Sequence, residues 1–178
     1  MIGIIANIAL LACWLWLVYL IKRKSAVMIQ GFLTGIFCVW LLTVLVRMSL
    51  IVIGITLTEQ TSKIIVAPLL EETLKFLFIL LPAWKSPGVL KEVKIFGITL
   101  GLGFAFMENF GASGDVWNIV FRGVITWAMH IVTTLILAHG AERVLKSSWS
   151  MVRVIFSLMA SVAVHGAFNY VVLCLGYG

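Results

Sequence analysis

Long apolar stretches, each about as long as a membrane-crossing helix, alternate with short polar connections along the whole chain. An α-helix needs about 20 mainly apolar residues to cross the bilayer core. Such stretches cover residues 2–21, 27–46, 64–84, 95–110, 118–139 and 149–175. Residues 48–57 either extend the second helix or lie in the membrane interface. The pattern therefore predicts an all-α, polytopic membrane protein with about six transmembrane helices in one bundle.

Composition supports this class and one integral membrane domain over residues 1–178. The chain is 62% hydrophobic and 11% charged, with a mean hydropathy of +1.15. Soluble globular domains are closer to half apolar and a quarter charged. Three cysteines lie in or at the ends of the apolar stretches without metal-type spacing, so they are interpreted as small apolar residues.

The basic residues of the predicted connections lie almost entirely on one side of the membrane. The other side holds only Lys63. The basic side holds Lys22, Arg23, Lys24, Lys85, Lys91, Lys94, Arg143, Lys146 and Arg153. Cytoplasmic loops carry the excess of lysine and arginine, so we predict a cell-membrane protein with both termini extracytoplasmic. The formal charge of +6 then reflects contact with the lipid bilayer and predicts no nucleic-acid partner.

Ionisable side chains lie inside or at the margins of these apolar stretches. A charged residue near the bilayer centre costs roughly 2.5–3.5 kcal/mol on insertion scales, so such residues are functional candidates by default. They are Arg47, Glu71, Glu72, Lys75, Glu108, Arg122, His130 and His165. Arg47 and Arg122 could instead extend to water at the interface, and Lys75 could serve only to neutralise a nearby carboxylate.

Helical spacing places most of these residues on shared faces. Residues four apart lie on the same side of a helix. The resulting stripes are Lys63, Ala67, Glu71 and Lys75; Gly97, Gly101 and Glu108; Arg122, Thr126, His130 and Thr134; and Ser157, Ser161, His165 and Asn169. Glu72 is turned about 100° from Glu71. Because these stripes occupy four consecutive predicted helices, we expect a polar cavity in the outer half of the membrane, with Glu108 at its outer edge.

The chemistry of such a cavity fits peptide hydrolysis. This reaction needs a base to activate water, donors for the oxyanion and a proton for the leaving amine. Glu71 is the candidate base because its helix face continues through Ala67 and Lys75. His130 could orient the water, and His165 with Asn169 could donate to the oxyanion.

Two other classes of function remain open from the residues alone. Glu71, His130 and His165 could bind zinc with one open coordination position, although the chain contains no His-Glu-x-x-His motif. A non-enzymatic scaffold or transporter could use the same cavity. A transporter would more naturally show repeats or broken helices in both halves of the chain.

Four short motifs in order resemble the PrsW family of intramembrane proteases. They are Glu71-Glu72-x-x-Lys75, the segment from Gly103 to Asn109 with Glu108, Arg122-x7-His130, and His165-x-x-x-Asn169. This family is related to CAAX prenyl proteases and bacteriocin-processing enzymes, the glutamic intramembrane peptidases. The resemblance covers about residues 66–170 and implies a protease core at 64–175, preceded by two additional helices within 2–57.

The resemblance implies a glutamic peptidase without a cofactor, zinc being the alternative. It implies catalytic roles for Glu71, His130, His165 and Asn169, and supporting roles for Glu72, Lys75, Glu108, Asn109 and Arg122. The implied substrate is a membrane-anchored protein, such as an anti-sigma factor cleaved on the extracytoplasmic side. CAAX-type enzymes have Glu-Glu-x-x-x-Arg and Phe-x-x-x-His, so Lys75 and Glu108 do not predict prenylated substrates.

Overall fold

The computed structural model describes residues 2–21, 26–55, 57–110, 121–146 and 151–176, of which 94% are helical. No strand occurs within these ranges. Their seven helices are α1 (Ile2–Ile21), α2 (Ala26–Val52), α3 (residues 59–85), α4 (Pro87–Lys91), α5 (Val93–Phe110), α6 (residues 122–146) and α7 (Met151–Cys174). Three of them include π-helical segments: Thr34–Trp40 in α2, Ser62–Val66 in α3 and Arg122–Thr126 in α6. The predicted all-α class is confirmed.

Four described helices are long and apolar enough to cross a membrane. They are Ala26–Val52, Val93–Phe110, Gly123–Lys146 and Val152–Cys174. In α1 the corresponding apolar segment, Asn7–Trp16, is shorter than the length required of a span. The helix α3 is as long as the others but carries three charged residues in its middle. The protein is therefore a polytopic membrane protein, and six spans remain a prediction.

Two predicted boundaries change. The helix α2 continues to Val52 and ends in a turn at Gly54, whose φ is 80°, so the first part of residues 48–57 extends this helix. A connection predicted over residues 140–148 is wrong, since α6 continues to Lys146. Glu142 accepts a hydrogen bond at 2.8 Å from Lys146 one turn later, which stabilises the helix beyond the end of the apolar stretch.

The helix α5 lies at the centre of the bundle, and α6 packs closely against it. A Cβ at Gly97 would lie 2.8 Å from the Ala138 Cβ and 3.0 Å from the Thr134 carbonyl oxygen. The spacing of Gly97 and Gly101 predicted this close approach, which small residues permit between membrane helices. Fully buried Leu100 and Leu137 lie in the same apolar core.

One end of the bundle collects most of the polar residues singled out by the sequence. There α2, α5 and α7 end while α3 and α6 begin. The helix α3 starts after Thr58, whose hydroxyl oxygen accepts from the Thr61 amide at 3.2 Å, as N-cap residues do. The lysines at 85, 94 and 146 lie at the opposite helix ends.

Candidate functional site

Glu72 and Lys75 form a fully buried ion pair behind the cavity. The Lys75 ammonium lies 2.7 Å from Glu72 Oε1, and both side chains are fully buried. Glu72 Oε2 accepts from the Ser161 hydroxyl at 2.7 Å, and Oε1 also accepts from His165 Nδ1 at 2.8 Å. Both oxygens of Glu72 are therefore occupied. A buried carboxylate needs such partners to remain ionised.

Lys75 also fixes the protonation of His130. Its Nζ lies 2.8 Å from His130 Nδ1 and 4.3 Å from the centre of the Phe104 ring. An ammonium has only donors, so Nδ1 of His130 accepts. The proton of the neutral ring is then on Nε2, which donates to Glu108 Oε2 at 2.6 Å.

The same reasoning makes His165 an acceptor towards the cavity. Its Nδ1 donates to the ionised Glu72, so Nε2 of the neutral ring carries a lone pair. This Nε2 lies 3.8 Å from Glu71 Oε2. That oxygen is buried and has no hydrogen-bond partner among the described residues. Two acceptors thus face each other, and together they would hold a water molecule that donates to both, or a cation.

Arg47 is the functional candidate whose contact the sequence analysis missed. Its Nη2 lies 2.5 Å from Glu71 Oε1, although 45% of its side chain remains exposed. Contact with water at the membrane interface is one interpretation of this residue from the sequence. In the structure the guanidinium instead contacts a carboxylate of α3. A long side chain reaching from a helix without a polar stripe leaves no periodic signal in the sequence.

A cavity of about 170 Å³ lies at this end of the bundle. Its polar lining includes Arg47, Lys63, Glu71, Glu108 and Asn169. Liquid water occupies about 30 Å³ per molecule, so the cavity has room for a few water molecules. His130 and His165 lie directly behind its wall, with ring centroids 5.1 Å apart. The two carboxylates Glu71 and Glu108 therefore border one shared space, as expected from the helix faces.

Of three further residues with predicted roles, two make structural hydrogen bonds, and the side chain of the third is not described. The Asn169 amide donates to the Lys63 carbonyl at 2.9 Å and so links α7 to α3. Asn109 is buried, and its carbonyl accepts from Asn7 of α1 at 3.2 Å. Arg122 lies in the first turn of α6, but its side chain is outside the described part of the molecule.

The described side chains of the buried network carry one excess negative charge when both histidines are neutral. Three carboxylates, Glu71, Glu72 and Glu108, are near two cations, Arg47 and Lys75. In a medium of low dielectric constant such an excess favours the binding of a cation. The Glu71 oxygen without a hydrogen-bond partner among the described residues is the place where it would bind.

The beginning of α3 holds a simpler pair. Lys63 lies 2.7 Å from Glu59 one turn earlier. Through that hydrogen bond and its positive charge, Lys63 holds the pKa of the exposed Glu59 carboxyl below its usual range. This pair lies outside the buried network.

Of three side chains that could together bind a metal ion, two present an acceptor atom as they stand. Ligand atoms of Glu71, His130 and His165 lie within 4.8 Å of one another. Glu71 Oε2 and His165 Nε2 are both acceptors, and Glu72 orients His165 as carboxylates orient zinc-binding histidines. His130 fits only after its proton moves from Nε2 to Nδ1, where Lys75 now donates.

One comparison with known proteins gives a match over most of the chain. A family model described as "PrsW family intramembrane metalloprotease" matches residues 23–177. The match begins before α2, so it includes Arg47 as well as the four motif-bearing helices. Among curated proteins and among solved structures, nothing matches the chain.

Proposed function

Because the chain belongs to the PrsW family of intramembrane proteases, we propose that it hydrolyses a peptide bond of a membrane-anchored protein at Glu71. The observation that carries this proposal is the pair of facing acceptors, Glu71 Oε2 and His165 Nε2, 3.8 Å apart. A water that donates to both presents its lone pairs to the cavity. It is thereby oriented for attack on a carbonyl carbon.

Glu71 acts as the base in this proposal. It removes a proton from the water as the oxygen attacks the carbonyl carbon, and it later gives a proton to the leaving amine. Glu72 lacks the free lone pairs for this task, because Lys75, His165 and Ser161 occupy both of its oxygens. We assign Glu72 and Lys75 the role of holding His165 and His130 in their tautomers.

The oxyanion needs a hydrogen-bond donor or a positive charge. Asn169 uses one amide hydrogen on the Lys63 carbonyl and has a second at the cavity wall. His165 can donate from Nε2 only after that atom has taken a proton. We therefore assign the donor role to Asn169, and His165 the role of orienting the water.

Glu108 lines the cavity together with Glu71, and His130 lies behind the cavity wall. Glu108 is 34% exposed and accepts from His130 Nε2. The cavity lining therefore contains two carboxylates. In this proposal Glu71 is the donor to the leaving amine, and Glu108 has a supporting role.

The charge bias of the loops sets the location of the site in this proposal. Both termini are extracytoplasmic and the protein lies in the cell membrane, so the cavity opens outward. A membrane-anchored anti-sigma factor is a substrate of the expected kind. The mechanism is that of a glutamic peptidase, related to the CAAX protease superfamily, with no cofactor.

The second candidate is a zinc peptidase at the same site. Two observations favour it: the Glu71, His130 and His165 cluster, and the word metalloprotease in the family description. These three residues would hold the ion, which when bound supplies an activated water and polarises the carbonyl. His130 would first have to exchange its proton.

A reconstituted assay tests both candidates. The full chain is purified into liposomes with a set of single-span reporter proteins that carry a tag on the outer side. We expect wild type to cleave at least one reporter, Glu71→Gln to leave it intact, and excess chelator to leave cleavage unchanged. Cleavage of the reporter by Glu71→Gln at the wild-type rate would contradict the proposal. Activity lost with chelator and restored by zinc would select the second candidate.

A further inference from the structure

The two halves of α2 are attached to the bundle very differently. The inner half lies backbone to backbone on α5. A Cβ at Gly31 would lie 2.5 Å from the Phe96 carbonyl oxygen, and one at Gly35 would lie 2.8 Å from the Phe104 amide nitrogen. Neither glycine could be replaced without displacing a main chain. Such close approach is a strong packing contact between membrane helices.

The outer half of α2 is largely uncovered. In the fully described segment Leu41–Val52, Thr43 is the one buried residue. Met48, Ile51 and Val52 are 55%, 66% and 81% exposed. The π-helical segment Thr34–Trp40 precedes this half, and π-helical segments occur often at functional sites and where helices bend. The outer half lacks the backbone-to-backbone packing that holds the inner half on α5.

The ion pair between Arg47 and Glu71 joins this loose segment to α3. An apolar groove of about 340 Å³ lies beside it, lined by Leu50, Ile51, Ile55 and Val66 among others. Arg47 and Ala67 line both this groove and the cavity at Glu71. The groove and the cavity are thus neighbouring spaces with Arg47 between them.

We propose that the outer half of α2 is a substrate gate. The apolar transmembrane segment of the substrate lies in the groove between α2 and α3. Arg47 is the latch, and it must leave Glu71 before the substrate reaches that carboxylate. The inference rests on the proposed function. The groove is apolar, as a transmembrane segment requires, and it leads directly to the site. Once released, the guanidinium offers donors to the carbonyl groups of an unwound substrate.

A matched pair of variants tests the groove. Ile51→Trp fills it, whereas Ile29→Trp changes a residue of the same helix with nearly equal exposure, 66% against 65%, at the inner end. With a reporter that wild type cleaves, we expect Ile51→Trp to lower kcat/KM about tenfold through KM, in the range of a steric overpacking effect. We expect Ile29→Trp to match wild type. Equal values for all three proteins would overturn the gate while leaving the proteolytic function intact.

A labelling experiment without substrate tests the latch. Cys13, Cys38 and Cys174 are replaced by alanine, and Ala67→Cys is introduced at the junction of groove and cavity. We expect Arg47→Gln to raise the rate of maleimide labelling at this position about tenfold, as expected for loss of a charge-assisted hydrogen bond, and Arg47→Lys to raise it less. Gln60→Cys, at an exposed position in the first turn of α3 that lines neither the groove nor the cavity, is the control and should not respond. An unchanged rate at Ala67→Cys would overturn the latch, whatever the reporter assay gives.

Discussion

Glu71 and Glu72 are neighbours in the chain and lie in two different regions of the molecule. Glu72 faces the interior of the bundle, where a lysine, a histidine and a serine occupy both of its oxygens. Glu71 faces the cavity, where Arg47 binds one oxygen and the other has no hydrogen-bond partner among the described residues. The two carboxylates are almost equally buried, at 2% and 0% exposure. Burial therefore does not distinguish them, and their hydrogen-bond partners do.

A rotation of 100° per residue accounts for this difference. It turns one carboxylate towards α6 and α7 and the other towards the end of α2. The interior carboxylate has donors on both oxygens, which suits the proposed task of fixing two histidines. The cavity carboxylate has one oxygen without a hydrogen-bond partner among the described residues, which suits the proposed base. In the proposed mechanism, one dipeptide thus supplies an organising group and a reactive group.

The largest expected effect is on turnover at Glu71. Glu71→Gln keeps an oxygen for Arg47 and removes the base, so cleavage of a reporter should fall about 10²- to 10⁴-fold, as for other general bases. The free energy of unfolding in an SDS titration should stay near the wild-type value. A variant that lost folding together with activity would remove the distinction between the two carboxylates.

Glu72→Gln should show the opposite behaviour. It leaves the fully buried Lys75 ammonium without its counter-charge, and breaking a buried pair in this way costs about 3–5 kcal/mol. The SDS titration should therefore detect a large loss of stability. The double variant Glu72→Gln/Lys75→Met removes both charges and should recover much of it. No recovery would mean that Glu72 stabilises the bundle by a route other than the ion pair.

The sequence predicted much of this site because helical periodicity survives folding. Glu71, His130 and His165 meet since each lies on the one polar stripe of its helix. The stripe through Ser157, Ser161, His165 and Asn169 also predicted the face of α7, and Ser161 lies on it against Glu72. Periodicity gives the face of a residue but not its partner, so the bond from Ser161 to Glu72 was not foreseen.

Arg47 and the end of α6 are two features of the structure that helical periodicity does not predict. Arg47 of α2 contacts Glu71 of α3, which lies 24 residues later in the chain, and no pattern within α2 indicates this. For α6, the apolar pattern predicts a connection over residues 140–148, which contain Glu142, Arg143 and Lys146. They are compatible with a helix that extends beyond the apolar region, since Glu142 and Lys146 pair one turn apart.

At His165, one matched variant separates orientation of water from support of Glu72. His165→Asn can retain an N–H near the position of Nδ1 for Glu72, but it lacks the Nε2 acceptor. We expect turnover to fall roughly 100-fold, at the lower end of acid–base effects, with stability close to wild type. His165→Ala should lose stability as well, because Glu72 then lacks one donor. Similar stability for both variants would contradict the assigned Nδ1 bond.

Substitution of Asn169 should lower the free energy of unfolding less than substitutions in the buried network do. Asn169→Ala removes the hydrogen bond to the Lys63 carbonyl, and such a bond contributes about 0.5–1.5 kcal/mol. If its second amide hydrogen serves the oxyanion, turnover should also fall about 100-fold. The SDS titration and the reporter assay measure the two effects separately. A loss of stability alone would restrict Asn169 to linking α7 with α3.

The smallest effect is expected at Glu59, in the exposed first turn of α3. Lys63 lowers the pKa of this carboxyl, so the pair contributes above the ordinary carboxyl pKa and its contribution disappears as pH falls through the lowered value. Thermal unfolding of Glu59→Gln should therefore differ slightly from wild type at pH 7 and not at all in strong acid. High salt should remove the difference at pH 7, because exposed pairs are screened, and reporter cleavage should be unchanged. Lys63 also lines the cavity, so a large change in cleavage would mean that its charge takes part in the reaction. The beginning of α3 would then belong to the reactive region together with Glu71.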